Sequence, residues 1–398
     1  RITIMGRIGM NNPVTDQRDC TTRPPVPAAQ TEACRPLYVG SDIYRRAAFG
    51  NNHPLKIMRH SAVLDLVRML GWLPDDAFRD TQPASIDQLA EFHDRGYIEA
   101  LQYAESEGRV APEIRERYNI GTLENPVFEG LFKRAATTVG GSILAAELAC
   151  DGHTVFHPSG GTHHGLPDRA HGFCYFNDPV FAVRTFLEKD IERVMYVDLD
   201  AHHGDGVQAA FQGEPRVLTV SIHEADRWPY SGAVDDRGAG SARNLPVPKG
   251  LNDSELDYLV EHAVLPLAGD FRPDALVLCC GADCLGGDPL SGMMLSNGAL
   301  WRTIDRLLSL GPPAVVLGGG GYNPWTVCRY WTGLWGQLSG EEIPATLPAE
   351  AQAFLASMEC DLIDDEDVDP AWLTTMADTP YPGPVRDAVR SIAETVMR

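Results

Sequence analysis

The sequence is poor in basic residues. Its 398 residues include 33 lysines and arginines against 55 aspartates and glutamates, which gives a formal net charge of −22. Direct nucleic-acid binding needs a basic face, so we expect no nucleic-acid partner. The excess of acid favours cationic substrates or partners, which a negative field attracts, although solubility alone would also explain it.

Long apolar segments and paired cysteine motifs are missing as well. No run of about 18 apolar residues occurs, so we expect no membrane-spanning helix, and no signal-peptide pattern is found. Hydrophobic residues nevertheless make up 44% of the chain, enough to bury a large core. The nine cysteines are scattered without zinc-ribbon spacing, which indicates reduced thiols and a cytoplasmic protein.

Apolar runs alternate with helical patterns along most of the chain. Strands are predicted near 37–39, 153–156, 193–198, 216–222, 274–280 and 313–318. Helices are predicted at 58–70, 87–104, 129–150, 178–189, 204–212, 253–268, 296–309 and 324–338. This alternation predicts one α/β domain with a central, mostly parallel sheet flanked by helices. Residues 1–35 are predicted to be extended or disordered, and residues 346–398 to be a C-terminal extension packed on the domain.

The most informative segment follows the strand predicted at 193–198. It places five ionisable side chains within eight residues, from Asp198 to Asp205. Such charge at the end of a buried strand is costly unless a metal or a partner offsets it. Residues two apart in an extended chain share a face, so Asp198, Asp200 and His202 are predicted to point into one site. Carboxylates and an imidazole together suit a Zn²⁺-like ion.

Three other predicted strands end in residues that complete such a site. Asp283 would join Asp200 and His202 as a third ligand, leaving an open position as catalytic zinc sites do. His163 and His164 follow two glycines after the strand at 153–156.

Each of these histidines needs an orienting acid, which Asp198 and Asp205 can supply. Tyr322, after four glycines, supplies a neutral donor for an oxyanion. Together these groups predict metal-assisted hydrolysis of an amide or ester.

The motifs resemble those of the zinc-dependent histone deacetylase superfamily, which has the arginase–deacetylase fold, and are most similar to class I-like bacterial acetoin-utilisation deacetylases. The resemblance runs from about Leu37 to about Gly336 and implies a deacetylase-like catalytic domain at 36–345. The matching motifs are His53-Pro54-Leu55-Lys56, Gly160 to His164, Gly172 to Asp178, Asp198 to Gly206, Gly281-Ala282-Asp283 with Gly287-Asp288-Pro289, and Gly318 to Tyr322.

The resemblance also implies a role for each matching residue. His164 would be the general base and acid, His163 its electrostatic partner, and Tyr322 the donor to the acyl oxygen. Asp198 and Asp205 would hold the two histidines. The implied zinc ligands are Asp200, His202 and Asp283, and the implied potassium site is Asp198, Asp200, His202, Ser221 and Ile222.

The implied substrate-binding residues are Phe173, Gly172, Trp228, Leu290, Glu124 and Gly320, with Arg59 lining an internal cavity beside the site. Two departures from the family pattern concern the substrate. Glu124 stands where the family usually has Asp, and Trp228 begins a segment where the family usually has Phe before Pro-Gly-Thr-Gly.

The sequence therefore predicts a zinc-dependent amidohydrolase that removes the acyl group from acyl-lysine or a similar N-acyl amine. A small-molecule amidohydrolase, such as an acetylpolyamine deacetylase, is the alternative, and iron(II) is the alternative ion. An arginase-like ureohydrolase would need a further acid two residues after Asp283, where the chain has Leu285. A non-catalytic acyl-amine-binding protein would not need Tyr322 or the histidine pair.

Overall fold

Eight strands form one sheet in the computed structural model, which describes residues 35–45, 49–50 and 53–398. The segment predicted to be extended or disordered lies, except for Arg35, outside these residues. The strands are β1 (Leu37–Gly40), β2 (Phe78–Asp80), β3 (Thr154–His157), β4 (Val194–Asp198), β5 (Val217–Glu224), β6 (Ala242–Val247), β7 (Ala275–Cys279) and β8 (Ala314–Leu317).

All neighbouring strands are parallel, in the order β2-β1-β3-β8-β7-β4-β5-β6. The predicted α/β class with a central parallel sheet is therefore confirmed. Every residue of β4, β5 and β7 is buried, because helices cover both faces of a parallel sheet.

The two faces of the sheet bury alternate residues. In β4, Met195 and Val197 belong to one hydrophobic cluster and Val194 and Tyr196 to another. This alternation follows from the two-residue period of a strand.

The helices lie between and after the strands. In chain order they are α1 (Arg59–Met69), α2 (Ile86–Leu89), α3 (Arg95–Glu107), α4 (Pro112–Tyr118), α5 (Leu131–Cys150), α6 (Asp178–Glu188), α7 (Asp205–Ala210), α8 (Asp253–Leu259), α9 (Leu265–Phe271), α10 (Asn297–Leu308), α11 (Pro324–Ser339), α12 (Ala349–Ala356), α13 (Pro370–Thr374) and α14 (Asp387–Val396). None of the described helices is long and apolar enough to cross a membrane.

Two predicted helices were wrong in detail. The helix expected at 87–104 is divided into α2 and α3, and α3 begins after the N-cap residue Asp94. The helix expected at 253–268 contains a π-helical segment, Val260–Val264, between α8 and α9. Pro266 lies in the first turn of α9 and has no N–H to donate, so the regular hydrogen-bond ladder is interrupted there.

The sheet order brings the four predicted site segments together. The strands β3, β8, β7 and β4 are consecutive neighbours in the middle of the sheet. In a parallel sheet all carboxyl ends meet at one edge, where ligands of open α/β sheets bind. The loops that carry the predicted site residues therefore start side by side.

The C-terminal residues pack against this domain. The guanidinium of Arg329 in α11 is fully buried and donates to Thr375 O at 2.6 Å and to Asp378 Oδ1 at 2.7 Å. Glu255 in α8 accepts from Nε and Nη2 of Arg386, each at 2.6 Å. These polar contacts hold the chain after α11 in place.

Candidate active site

The loop after β4 folds around its own carboxylates. The N–H of Asp200 donates to Asp198 Oδ1 at 3.1 Å, and the N–H of His202 donates to Asp200 Oδ1 at 2.9 Å. Asp283, on the loop after β7, accepts from the N–H of Ala201 at 3.0 Å. These bonds hold the three carboxylates in fixed positions.

Asp200, His202 and Asp283 present three potential ligand atoms within 4.8 Å of one another, and all three residues are buried. His202 Nδ1 lies 2.9 Å from Asp283 Oδ2 and 3.2 Å from Asp200 Oδ1. Two carboxylates and one imidazole form a ligand set that suits zinc or iron(II). The predicted ligands are thus brought together, and their chemistry fits a divalent metal.

The loop after β8 makes room for these carboxylates. The N–H of Gly320 donates to Asp200 Oδ2 at 2.6 Å. A Cβ atom at Gly320 would stand 2.1 Å from Asp283 Oδ2 and 2.8 Å from Asp200 Oδ2. Only glycine fits there, because a side chain would occupy the space where the ligand atoms converge.

The histidine pair lies beside this cluster, and each ring is held by a carboxylate. His163 Nδ1 donates to Asp198 Oδ2 at 2.7 Å, and His164 Nδ1 donates to Asp205 Oδ1 at 2.7 Å. The ring centroids are 4.0 Å apart. The Nε2 atom of a neutral His164 is therefore the proton acceptor, because its Nδ1 proton is committed to Asp205.

Their surroundings give the two histidines different protonation. Burial lowers the pKa of His163, but the carboxylates of Asp198 and Asp200 outweigh it and raise the pKa to about 9. Burial and the neighbouring charge of His163 lower the pKa of His164 to about 3, against the contribution of Asp205. The neighbouring carboxylates thus favour the protonated form of His163, whereas burial favours the neutral form of His164.

Tyr322 closes the other side of the site. Its backbone N–H donates to Asp288 Oδ2 at 2.7 Å, and its ring is edge-on to Phe173, with centroids 6.0 Å apart. The carbonyl of the preceding residue, Gly321, accepts from Arg59 Nη1 at 3.0 Å. The peptide group that links Gly321 to Tyr322 is therefore held at both its N–H and its carbonyl.

An outer cleft of about 490 Å³ leads from the surface to this site. The predicted rim and channel residues that line it are Phe173, Gly172, Trp228, Leu290 and Glu124, and Tyr230 lines it as well. Trp228 packs edge-on against His164, with centroids 4.7 Å apart, while Tyr230 is 77% exposed. Trp228 thus forms a wall beside the catalytic candidate, whereas Tyr230 stands at the mouth.

Glu124 holds the loop that forms the opposite wall. Its two carboxylate oxygens accept from the N–H of Gly172 at 2.6 Å and from Nδ2 of Asn119 at 3.0 Å. Gly172 has φ of 54°, and a Cβ atom there would stand 2.3 Å from the Trp228 ring. Glycine is required by both the backbone and the space.

The predicted potassium residues lie at the adjoining ends of β4 and β5. Asp198 and Ser221 are register partners, and Ile222 follows. Asp198, Asp200, His202, Ser221 and Ile222 are all buried.

The sequence interpretation assigned no role to four residues that support the site, although two of them, Asp178 and Asp288, lie in the matching motifs. His171 Nδ1 lies 3.3 Å from Asp205 Oδ2, so that Asp205 contacts both His171 and His164. Tyr196 donates to Asp198 Oδ2 at 2.7 Å, and Asp288 accepts from Tyr322 N. Asp178 accepts from the N–H groups of 161 and 162 at 3.0 and 2.7 Å and so positions the loop before the histidine pair.

The all-parallel eight-stranded sheet, with its ionisable residues gathered at one edge, defines an α/β protein of the arginase–deacetylase fold. A family model described as "Histone deacetylase domain" matches residues 53–338. The acetoin utilization protein AcuC of Bacillus subtilis is 32% identical over 79% of this chain and 84% of its own length. Histone deacetylase 8 of Xenopus tropicalis is 33% identical over 80% of this chain and 87% of its own length.

Among solved structures, an HDAC homolog from Aquifex aeolicus superposes with a TM-score of 0.87 at 34% identity, covering 92% of this chain and 100% of its own. An HDAC homolog complexed with SAHA matches equally well. This chain therefore belongs to the histone deacetylase family, and its similarity to AcuC confirms the resemblance inferred from the motifs. Family membership makes the protein a hydrolase.

Proposed function

We propose that this protein is a zinc-dependent deacylase that hydrolyses the amide of acyl-lysine. The observation that carries the proposal is the convergence of the ligand atoms of Asp200, His202 and Asp283 within 4.8 Å, beside the bonded pair His164–Asp205. A three-residue ligand set next to a neutral imidazole is the arrangement that metal-assisted hydrolysis needs.

In this proposal the three ligands hold zinc, which when bound polarises the acyl carbonyl and acidifies water. Neutral His164 accepts a proton from water at Nε2 and returns it to the departing amine. Asp205 fixes the His164 tautomer, and the cationic His163 stabilises negative charge that develops beside it. The Tyr322 hydroxyl donates to the acyl oxygen as that oxygen becomes anionic.

The outer cleft would take the lysine side chain. Phe173 and Trp228 offer aromatic walls on its two sides, and Gly172 and Gly320 leave room for the chain and the acyl carbon. Glu124 and Leu290 would meet the part of the substrate beyond the cleft. A long apolar chain ending in a polar amide suits such aromatic walls above a polar floor.

A small N-acyl amine, such as an acetylpolyamine, is the second candidate substrate. The observation that favours it is the presence of two acids, Glu124 and Asp226, along the same cleft. A polyamine keeps a second cationic nitrogen, which such acids attract. Comparison of kcat/KM for acetyl-lysine peptides and for acetylated polyamines separates the two, and E124Q should lower the rate with the polyamine more if that substrate is the natural one.

We also propose a bound potassium ion at Asp198, Asp200, His202, Ser221 and Ile222. Carboxylate, hydroxyl and carbonyl oxygens are the ligands that hard cations prefer, and the ends of β4 and β5 offer all three. An unfolding temperature that rises in KCl but not in LiCl of equal ionic strength would support this ion.

A cytoplasmic location completes the proposal. All seven cysteines among the described residues are free and five of them are buried, as expected of a protein kept in a reducing compartment.

The decisive experiment is to measure bound metal and peptide deacetylation in the same preparations. D283A should lose most of its metal and nearly all activity, because two ligands are too few for a stable site. D270A, which removes an exposed acid in α9, is the matched control and should keep both. If D283A retained full metal content and turnover, the assignment would be wrong.

A further inference from the structure

A second cavity lies on the inner side of the candidate site. This inner cavity has a volume of about 80 Å³, enough for several atoms beyond an acetyl group. Its walls include His163, Tyr322 and Gly320 at one end, so it opens directly onto the place proposed for the acyl carbonyl. Arg59 and Arg134 also line it.

The inner cavity contains two arginines but few groups that offset their charge. Arg59 donates to the carbonyl of Gly321 and stacks over Trp331 at 5.4 Å. Arg134 stacks over Tyr44 at 4.9 Å. Within the described residues, no carboxylate lies within 4.0 Å of either guanidinium. Asp200 also lines the cavity, but it belongs to the proposed metal ligands.

Both side chains carry a positive charge, because a guanidinium keeps its proton inside a protein. Burial and the charge of Arg59 lower the pKa of Arg134 to about 10, although Tyr44 acts to raise it. Two like charges that share a small internal space repel one another, and each has lost part of its hydration. An anion between them would offset both penalties.

A histidine beside the two arginines adds a further donor. His60 Nδ1 faces Arg134 Nη2 at 3.4 Å, so that atom is an acceptor and the ring proton is on Nε2. Nε2 has no hydrogen-bond partner among the described residues, although it is buried. The inner cavity therefore offers two cations and one unpaired N–H group, all of which suit an acceptor that carries negative charge.

An acetyl group would use none of these donors. We propose that the inner cavity binds a carboxylate at the far end of the acyl chain, so that the protein removes acidic acyl groups such as succinyl or glutaryl from lysine. The inference rests on the proposed function and names its acyl group. Water adds to the acyl carbon, the C–N bond breaks, the amine nitrogen takes the proton, and the products are lysine and a dicarboxylate.

The test compares acyl groups of equal length with and without charge, using the metal-loaded protein. Rates are measured for acetyl-, butyryl-, succinyl-, valeryl- and glutaryl-lysine in one peptide. We expect kcat/KM for the best acidic acyl group to exceed that of its neutral counterpart by at least about tenfold, the effect of one charge-assisted hydrogen bond. Acidic acyl groups that react no faster than neutral ones would overturn the inference without any variant.

Two variants in α5 test whether Arg134 causes the preference for acidic acyl groups. R134M removes the charge but keeps much of the side-chain volume, and K133M removes the exposed charge of the preceding residue. R134M should lower the rate with the acidic substrate by about tenfold or more and leave acetyl-lysine within about threefold, while K133M should change neither. Equal losses on all acyl groups in R134M would mean a structural role only.

Inhibition by a free dicarboxylate is the third measurement. Succinate could compete with the substrate in the native protein but not in R134M, while succinyl-lysine is not hydrolysed. That result would make the inner cavity an anion site for a product or an effector, and it would overturn the inference about the acyl group. If the protein removes acetyl groups from lysine but no acidic acyl groups, the proposed function holds and the inference is wrong. Absence of hydrolysis with every acyl group would overturn both.

Discussion

Tyr322 makes its predicted contribution through a single hydroxyl group. In Y322F the N–H of residue 322 still donates to Asp288 and the ring still packs on Phe173, so folding and metal content should be unchanged. An oxyanion donor acts mainly in the transition state, so kcat should fall by about 10²–10³-fold, or about 3–4 kcal/mol, with little change in KM. Steady-state kinetics on a preparation of known metal content checks this, and a near-normal kcat would make Tyr322 a packing residue.

The two histidines should respond differently to removal. H164A loses the neutral imidazole that moves the proton, an effect of order 10²–10⁴-fold on kcat. H163A loses a cation that is bonded to Asp198 and does not transfer the proton, so the loss should be smaller. Single-turnover rates of both variants at equal metal occupancy measure the difference, and equal, mild losses would contradict the division of roles.

Single residues were predictable where the chain itself sets their geometry. Asp198, Asp200 and His202 share a face because they alternate at the end of β4. This arrangement depends only on neighbouring positions in the chain. His171 could not be predicted, since Asp205 already had a predicted partner in His164 and its contact with a second imidazole exists only after α7 and the loop before α6 have packed. Asp178 ends a matching motif but was given no role, because it accepts from main-chain N–H groups, which carry no sequence signal.

Among the structural elements, the loop after β8 determines the shape of the proposed metal site. In G320A a methyl group would stand 2.1 Å from Asp283 Oδ2, so the carboxylates must move apart. We expect at least about tenfold weaker metal binding. G269A is the control, because a methyl group there would meet nothing within 4 Å. Metal content after dialysis, measured by mass spectrometry, checks both, and a G320A variant that keeps one tightly held ion would refute the crowding argument.

Two strands at the edges of the sheet were not predicted. Both β2, with three residues, and β6, which contains Pro246, are edge strands. Proline lacks a donor and weakens any strand pattern, yet an edge strand tolerates it because one side needs no partner. The amphipathic helix α14 was also missed, although Val389, Ala393 and Val396 repeat at helical spacing and are buried.

At the scale of the whole molecule, the C-terminal residues bond to a buried carboxylate of the domain. Glu255 is fully buried, and its carboxylate bonds the Arg386 guanidinium and the N–H of Asn252. Burial raises the pKa of Glu255, but the Arg386 bonds outweigh this and lower it. Since the folded pKa lies below the unfolded one, this stabilisation is present above the unfolded pKa and is lost as pH falls through the folded value.

E255Q should therefore lower the free energy of unfolding at neutral pH by about 1–2 kcal/mol, an estimate discounted because Arg386 is partly exposed. The difference from the native protein should shrink below about pH 4. E261Q breaks the exposed pair with Arg306 and should cost almost nothing. Urea unfolding at both pH values measures these differences, and a pH-independent loss in E255Q would exclude the charge as its cause.

The order of strands in the sheet has a consequence for synthesis of the chain. The strand β8 is the last to be made, yet it lies between β3 and β7. Until it emerges from the ribosome, β2-β1-β3 and β7-β4-β5-β6 are two separate half-sheets with unpaired inner edges. The histidine pair belongs to one half and the metal ligands to the other. We therefore expect the reactive centre to form only after β8 has joined the two halves, and the two exposed edges to require fast completion or chaperones until then.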